Sequence, residues 1–198
     1  MKKILKRVAI FLLIVIGIMI IIGVFKYIHR ASTVKNNYAL LGEESSTIMR
    51  DGLSFRDLNK NGSLDVYEDF RANVDERVDD VLSQMTLEEK AGTMFITMIG
   101  MTKEGKPMDM PVISNNIQEF MISTMLPTNS ELIAKKKINN FNIINGYNAD
   151  ILASYNNNIQ KLAERTRLGI PITIATDPRH GTQNNPGASI YTPSFSQW

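Results

Sequence analysis

The first feature of the chain is an uninterrupted apolar segment near its N-terminus. Residues Val8–Phe25 (VAIFLLIVIGIMIIIGVF) carry no charge, and as a helix they would extend about 27 Å, close to the hydrocarbon thickness of a bilayer. Basic residues precede this segment, which favours a cytoplasmic N-terminus and an exported remainder. We predict an uncleaved transmembrane signal-anchor over residues 1–30, in a single-pass membrane protein whose C-terminal part is extracellular. The alternative is a signal peptide cleaved near Ala31, which would leave a secreted protein.

Beyond residue 73 the hydrophobic pattern predicts helices first. Asn73 is a candidate N-cap for a helix over Val74–Met85, whose apolar residues recur on one face. The sequence from Thr86 to Glu89 is a capping-box pattern that starts a second, short helix. We expect Gly92 to end that helix, and we expect the acidic residues of its first turn, Glu89 among them, to be solvated.

Strand-like and helical segments then alternate. Short apolar runs at 93–98, 140–144 and 172–176 predict buried strands, and helical spacing predicts a helix over 150–166. The run at 172–176 is typical of a parallel strand that is covered on both faces. The segment 118–125 fits a helix and a strand equally well. The fold class is therefore α/β.

Composition and charge narrow the classes of function. Residues 31–52 are polar and without periodicity, and we interpret them as a tether. The net charge of +2 reflects basic residues that flank the apolar segment, and no basic stripe alternates with aromatic residues. We therefore predict no nucleic-acid partner. The chain has no cysteine, which excludes disulfides and thiolate metal sites.

Residues 57–68 (DLNKNGSLDVYE) match a calcium-binding loop of the EF-hand type within a lead-in segment, 53–73. Such loops place oxygen ligands at positions 1, 3, 5, 7, 9 and 12 and glycine at position 6, which is Gly62 here. We predict a structural Ca²⁺ that fixes the start of the domain. The alternative is an Asn/Asp/Gly-rich turn whose side chains bond their own backbone. The candidate ligands are Asp57, Asn59, Asn61, Ser63 (through its backbone carbonyl), Asp65 and Glu68.

Two longer blocks carry a resemblance to a known family. ERVDDVLSQMTLEEKAGTMF (76–95) and NNIQKLAERTRLGIPITIATDPRHG (157–181), the latter followed by NNPGAS and FSQW, resemble the opening of glycoside hydrolase family 3 barrels. The lead-in stretch also resembles that of some exported β-glucosidase-like members. The resemblance implies that residues 74–198 are the N-terminal part of a (β/α)₈ TIM-type barrel. It also implies hydrolysis of terminal β-linked sugars with retention of configuration.

The resemblance also points to substrate-binding residues. Asp177 directly follows the apolar strand, where side chains of such barrels reach their ligand. In the family, the matching Asp of the D-x-x-HG motif binds the non-reducing sugar, and we carry that role to Asp177. We add Arg179 and His180 as candidate substrate-binding residues. Their alternatives are a framework ion pair for Arg179 and a packed, hydrogen-bonded support for His180, and Asp177 could instead cap nearby amides.

The catalytic residues are not assigned to this chain. A retaining glycosidase needs two carboxylates about 5 Å apart, and by the resemblance both would lie after Trp198. A barrel takes roughly 250 residues, about twice the length of 74–198, so we expect an N-terminal fragment that is inactive alone. No catalytic cofactor is predicted. The expected partners are the membrane and a β-linked oligosaccharide or glycoside.

Three alternative functions of the chain also fit the sequence. Within the family, β-xylosidase or β-N-acetylhexosaminidase specificity is an alternative to β-glucosidase. From a different class comes a non-catalytic, membrane-tethered module that binds calcium or carbohydrate. A non-functional remnant of a longer gene is the third reading, and it predicts an aggregating product.

Overall fold

The computed structural model describes residues 2–113, 117–144 and 147–175, and it is a mixed α/β structure. Short helical turns of 3₁₀ and π type lie at Val66–Glu68 and Glu131–Lys135. The helices are α1 (Lys2–Tyr38), α2 (Val74–Gln84), α3 (Leu87–Thr93), α4 (Ile117–Met125) and α5 (Ala149–Glu164). The strands are β1 (Ser46–Arg50), β2 (Leu53–Asp57), β3 (Ile96–Ile99), β4 (Asn140–Ile143) and β5 (Thr173–Ala175).

Helix α1 contains the apolar segment predicted from the sequence. Over Lys3–Tyr38 it is long and apolar enough to cross a bilayer, with a window of mean hydropathy 3.3 of which 0% is buried. Its composition and its position near the N-terminus fit a signal sequence or a membrane anchor.

The segment 31–52, which we expected to be a tether, forms regular structure instead. Helix α1 continues to Tyr38, whose hydroxyl donates to Asp109 Oδ2 over 2.8 Å. Strand β1 then pairs antiparallel with β2, and Ser46 lies opposite Asp57. The end of α1 gains a partner that is 71 residues away in sequence, which a local pattern does not reveal, whereas the hairpin joins neighbouring segments.

The predicted caps of α2 and α3 are confirmed. The Asn73 side chain accepts from the backbone N–H of Asp75 over 2.9 Å. The Thr86 hydroxyl accepts from Glu89 N over 3.2 Å, while the Glu89 carboxylate accepts from Thr86 N over 2.9 Å. These bonds satisfy backbone donors that the first turn of a helix leaves free. The apolar positions of α2, by contrast, stay largely exposed, and only Met85 at its end is buried.

Gly92 does not end its helix. Helix α3 runs on to Thr93, and Gly92 is buried against the turn that precedes β4. A Cβ atom at Gly92 would lie 2.2 Å from the carbonyl oxygen of Lys137. Glycine is needed here for close packing, and not for a change in backbone conformation.

Three parallel strands form the centre of the domain in the order β3-β4-β5. Ile99 pairs with Ile143, and Phe141 pairs with Ile174, so the strands are in register. One face of the sheet packs on α5 and forms the hydrophobic core. The buried core residues are Ile99, Met101, Leu132, Ile133, Ile138, Phe141, Ile143, Tyr155, Ile159, Leu162, Ala163 and Ile172.

The opposite face of the sheet is not covered by the described residues. Because side chains alternate along a strand, this open face carries Ile96, Met98, Asn140, Asn142, Thr173 and Ala175. Ile96 and Met98 are exposed. The parallel pairing expected of β5 is confirmed, whereas its expected cover on both faces is not present in the described part of the chain.

Candidate functional site

The carboxyl ends of the three strands meet at one edge of the sheet. β3 ends at Ile99 and β4 at Ile143, which are paired, and β5 ends at Ala175, which pairs with Asn142. In parallel sheets this edge is where ligands bind. The predicted substrate-binding residues Asp177, Arg179 and His180 follow β5 and lie outside the described residues.

A buried polar network supports this edge. The side-chain amide of Asn129 donates to the carbonyl of Gly100, directly after β3, over 2.8 Å, and to the Tyr155 hydroxyl over 3.0 Å. Asn129 and Tyr155 are almost fully buried, and burial raises the pKa of the Tyr155 phenol. The network holds the start of the β3 loop against α5, because buried polar groups of this kind are costly to leave unpaired.

Asp109 is the acidic member of the same region. Its Oδ1 accepts from Ser130 N over 2.8 Å and its Oδ2 accepts from the Tyr38 hydroxyl over 2.8 Å, so both carboxylate oxygens are engaged. Burial and the neighbouring Asp109 charge raise the pKa of Tyr38. Asp109 therefore ties the end of α1 to the loop after β3 and does not present a free carboxylate. No periodic or motif signal in the sequence indicated this role.

Asn142 is the polar residue of the open face whose bonding is incomplete. Its Oδ1 atom is buried and has no hydrogen-bond partner among the described residues. Its backbone register places it beside Ala175, two residues before Asp177. A buried acceptor without a donor costs free energy, so this position is a candidate for contact with a donor supplied by the site.

The candidate calcium loop is closed by its own hydrogen bonds. Asp57 Oδ1 accepts from Asn61 N over 3.1 Å, and Asp57 Oδ2 accepts from Gly62 N over 3.0 Å. Glu68 Oε1 accepts from Leu58 N and Asn59 N over 2.6 and 3.2 Å. This is the self-bonded arrangement that we named as the alternative to metal binding.

The remaining candidate ligands follow the same pattern. The side-chain amides of Asn59 and Asn61 both donate to Asp65 Oδ2, over 2.6 and 2.7 Å. Asn61 Oδ1 accepts from the backbone N–H of Ser63 over 2.7 Å. Within the described residues, no three His, Asp or Glu side chains are grouped so that they could hold a metal ion. The oxygen-rich donor set suits calcium chemically, but its atoms are engaged with one another, and metal binding stays a prediction.

Lys60 fastens this loop to the domain. Its ammonium donates to the carbonyls of Leu58 and Thr166 over 2.6 Å each, and also to the carbonyl of Glu164 at the end of α5. A cation at the C-terminus of a helix is favourable because the last carbonyls lack partners. Burial lowers the pKa of Lys60, although Asp57 and the α5 carboxylate oppose the change. Lys60 thus joins the lead-in segment to the end of α5.

Glu89, which we expected to be solvated, is buried and paired. It is 9% exposed, and its carboxylate accepts from the Arg167 guanidinium, with Arg167 Nε at 3.1 Å from Glu89 Oε1. Burial alone would raise the pKa of Glu89, but the bonds from Arg167 and Thr86 outweigh it and lower the pKa. Arg167 also donates to the carbonyl of Gln84 over 2.8 Å, so α3 and the segment after α5 are joined by charge.

Comparison with known proteins identifies what the sequence is related to. The chain is 39% identical over 153 residues to a periplasmic β-glucosidase/β-xylosidase of Dickeya chrysanthemi, covering 75% of this chain and 21% of that protein. It is 40% identical over 140 residues to a probable β-glucosidase C of Aspergillus oryzae, and 41% identical over 143 residues to β-glucosidase C of Emericella nidulans. This chain is a relative of the β-glucosidase-like glycoside hydrolases. The resemblance found in the sequence is confirmed at that level.

The match covers most of this chain but only a small part of each relative. The Aspergillus and Emericella relatives are matched over 70% and 72% of this chain, but over 20% and 21% of their own lengths. The chain therefore spans about a fifth of the curated relatives it matches. No family model matches the chain.

Proposed function

We propose that this chain contributes the substrate-binding start of a glycoside hydrolase that removes terminal β-linked sugars, with β-glucosides as the main substrate class. The observation that carries the proposal is the identity of 39–41% to proteins named as β-glucosidases or β-glucosidase/β-xylosidase. Specificity for xylosides or N-acetylhexosaminides is the alternative within this class. The nucleophile and the acid/base are assigned to no residue of this chain.

We propose that the parallel strands are the first three of a (β/α)₈ barrel. Their consecutive order, their parallel pairing and the helix between β4 and β5 support this arrangement. The open face would then be the inside of the barrel. Ala175 and Asn142 lie on this open face, and Asp177 follows Ala175 by two positions in the sequence. We propose sugar binding by Asp177, with Arg179 and His180 as further candidates, because they follow β5 in the sequence and match the family resemblance.

We propose that α1 is an uncleaved anchor that holds the domain on the outer side of the membrane. The helix runs without a break from its apolar segment to Tyr38, and Arg30 and Asn37 bond to the domain. A cleaved signal would remove the part of α1 before Ala31, including Arg30. The relative from Dickeya is named as periplasmic, which supports export of this protein too.

We keep calcium binding at residues 57–68 as a proposal that rests on donor chemistry. An ion would have to replace the bonds that now engage Asp57, Asp65 and Glu68, so a weak site of the extracellular class is expected. The check is calorimetric titration with millimolar calcium, together with the melting temperature of the wild type and of Glu68→Gln. A melting temperature that calcium does not change would remove the proposal.

The experiment that tests the enzymatic function is a substrate panel. The protein, extracted from its own membranes in mild detergent, is assayed with aryl β-glucoside, β-xyloside and β-N-acetylglucosaminide, and binding of the free sugars is measured in parallel. Hydrolysis of the glucoside above the other two is expected. Binding without hydrolysis would favour the carbohydrate-binding module, and absence of both would overturn the proposed function.

A further inference from the structure

Helix α4 directs its apolar side chains away from the protein. Ile117 and Met125 are 71% and 76% exposed, and Phe120 and Met121 are 44% and 49% exposed. The spacing of 117, 121 and 125 is four residues, so these side chains lie on one side of the helix. We refer to Ile117, Phe120, Met121 and Met125 as the α4 outer face. Ile113, shortly before the helix, adds a fifth apolar side chain that is 95% exposed.

Two polar residues of α4, Glu119 and Ser123, are turned toward the protein, whereas Thr124 is exposed. Ser123 is fully buried, and its hydroxyl accepts from Val112 N over 2.9 Å. Glu119, the charged residue of this helix, pairs with Lys103 over 3.2 Å and accepts from the Tyr147 hydroxyl over 2.6 Å. A helix on a water-exposed surface has the opposite arrangement, with its apolar stripe toward the core.

The α4 outer face lies at the level where α1 leaves its apolar segment. The Arg30 guanidinium donates to the carbonyls of Thr124 and Leu126 at the end of α4, over 3.2 and 3.3 Å. Arg30 lies five residues after Phe25, about 7.5 Å further along the helix axis. The polar headgroup region of a bilayer is about 5–8 Å deep on each side. Helix α1 therefore fixes the end of α4 within headgroup depth.

We propose that the α4 outer face is a membrane-docking surface that inserts its apolar side chains among the lipids next to α1. This inference rests on the proposed role of α1 as a membrane anchor. Helix α4 then resembles an interfacial helix, with an apolar side toward the acyl chains and a polar side away from them. The two attachments together fix the tilt of the domain relative to the membrane, which α1 alone would leave free.

The test measures lipid contact at single positions. The chain has no cysteine, so Met121→Cys and Met125→Cys each give one site for a nitroxide label. The protein is reconstituted in vesicles of phosphatidylcholine with a minor share of phosphatidylglycerol. Collision of the label with oxygen, which concentrates in lipid, is compared with collision with a water-soluble nickel chelate. Exposed positions are chosen so that the labels do not disturb the fold.

Two control positions separate this inference from the anchor on which it rests. Ile16→Cys reports the apolar segment of α1, and Lys161→Cys reports the exposed side of α5. The end of α5 is bonded to Gly42 through Arg165, twelve residues beyond Arg30, so the label at position 161 should be in water. We expect the ratio of oxygen to nickel collisions at positions 121 and 125 to exceed that at 161 several-fold and to approach the ratio at 16.

Each of the other outcomes would overturn the docking surface, alone or together with the anchor. Lipid contact at position 16 with water contact at 121 and 125 would overturn the docking surface and leave the anchor intact. Water contact at position 16 would overturn the anchor and the docking surface together. Protection of 121 and 125 from both reagents would mean that protein covers the face, and it would also overturn the proposal.

Discussion

Helices α4 and α5 are both rich in apolar residues, but they use them in opposite ways. In α5, Tyr155 and Ile159 are fully buried against the sheet, and the polar asparagines lie toward solvent or loops. In α4 four of the apolar residues, those of the α4 outer face, are exposed, and Ser123 is inside. Periodicity in a sequence tells which side chains share a face, and it does not tell what that face contacts. The α5 face packs on a sheet, whereas the side chains of the α4 outer face are 44–76% exposed.

The two helices differ in how much free energy they gain from burying their apolar side chains. Burying a Leu, Ile, Met or Phe side chain fully is worth about 1.5–3 kcal/mol relative to leaving it in water. Helix α5 gains this from the protein's own fold. Helix α4 would gain it only from apolar surroundings outside the described residues, and in our proposal these are the lipids beside α1, to which Arg30 joins the end of α4.

The largest predicted effect contrasts one residue from each helix. Ile159→Ala should lower the free energy of unfolding by about 2–5 kcal/mol, because it leaves a cavity in the core. Met121→Ala should cost well under about 1 kcal/mol in detergent, since the side chain is half exposed. Urea unfolding followed by circular dichroism measures both. Equal losses for the two variants would mean that α4 is packed like α5, against this structure.

The next prediction concerns the link between α1 and α4. Arg30→Met removes the donors to Asp109, Thr124 and Leu126, and bonds from a charged group are worth about 1.5–3 kcal/mol each before compensation. Amide hydrogen exchange should become faster over residues 120–126 and stay unchanged over α5. Lys26→Met, on the exposed side of α1, is the matched control and should change neither region. Unchanged amide hydrogen exchange at the end of α4 would show that the hydrogen bonds from Arg30 do not stabilise it.

The smallest predicted effect concerns pH. The folded-state pKa of Glu89 is lowered, so its carboxylate stabilises the fold fully above the unfolded pKa, and that contribution is lost as pH falls through the folded pKa. The melting temperature should therefore fall as the solution is acidified below about pH 4.5, and Arg167→Met should flatten this part of the curve. Arg50→Met, an exposed arginine of β1, should leave the slope unchanged. A slope that survives Arg167→Met would assign the effect to other carboxylates.

Much of the fold could be predicted from sequence patterns that span only a few neighbouring residues. The Asn73 cap, the capping box at Thr86 and the period of α5 depend on neighbours in sequence, and they are present as predicted. The β1–β2 hairpin is local, but its Asp51-Gly52 turn signal was not used in the prediction. The end of α1 and the burial of Glu89 depend on partners far away, which are Asp109 and Arg167. No local pattern contains those partners.

The features of the candidate site also divide into those that the sequence predicted and those that it did not. The oxygen-rich composition of 57–68 could be found from the sequence, but whether its side chains bond their own amides or surround an ion depends on geometry. Asp57 accepts from a backbone amide of the loop and Lys60 joins the loop to the end of α5, while calcium binding at 57–68 stays a prediction. Asn129 and Asp109 escaped prediction because a buried polar residue in a loop resembles any other loop residue. Asp177 stays a prediction, which rests on its position after a strand and on the family resemblance together.

The most direct test of the account is the effect of Asp177 on hydrolysis. In the protein taken from its own membranes, Asp177→Asn should lower kcat/KM for an aryl β-glucoside by about 10²–10⁴-fold, because two charge-assisted bonds to sugar hydroxyls at about 1.5–3 kcal/mol each would be weakened. Asp79→Asn, on the exposed side of α2, should keep the wild-type rate. A wild-type rate in Asp177→Asn would contradict the sugar-binding role and with it the proposed start of the active site.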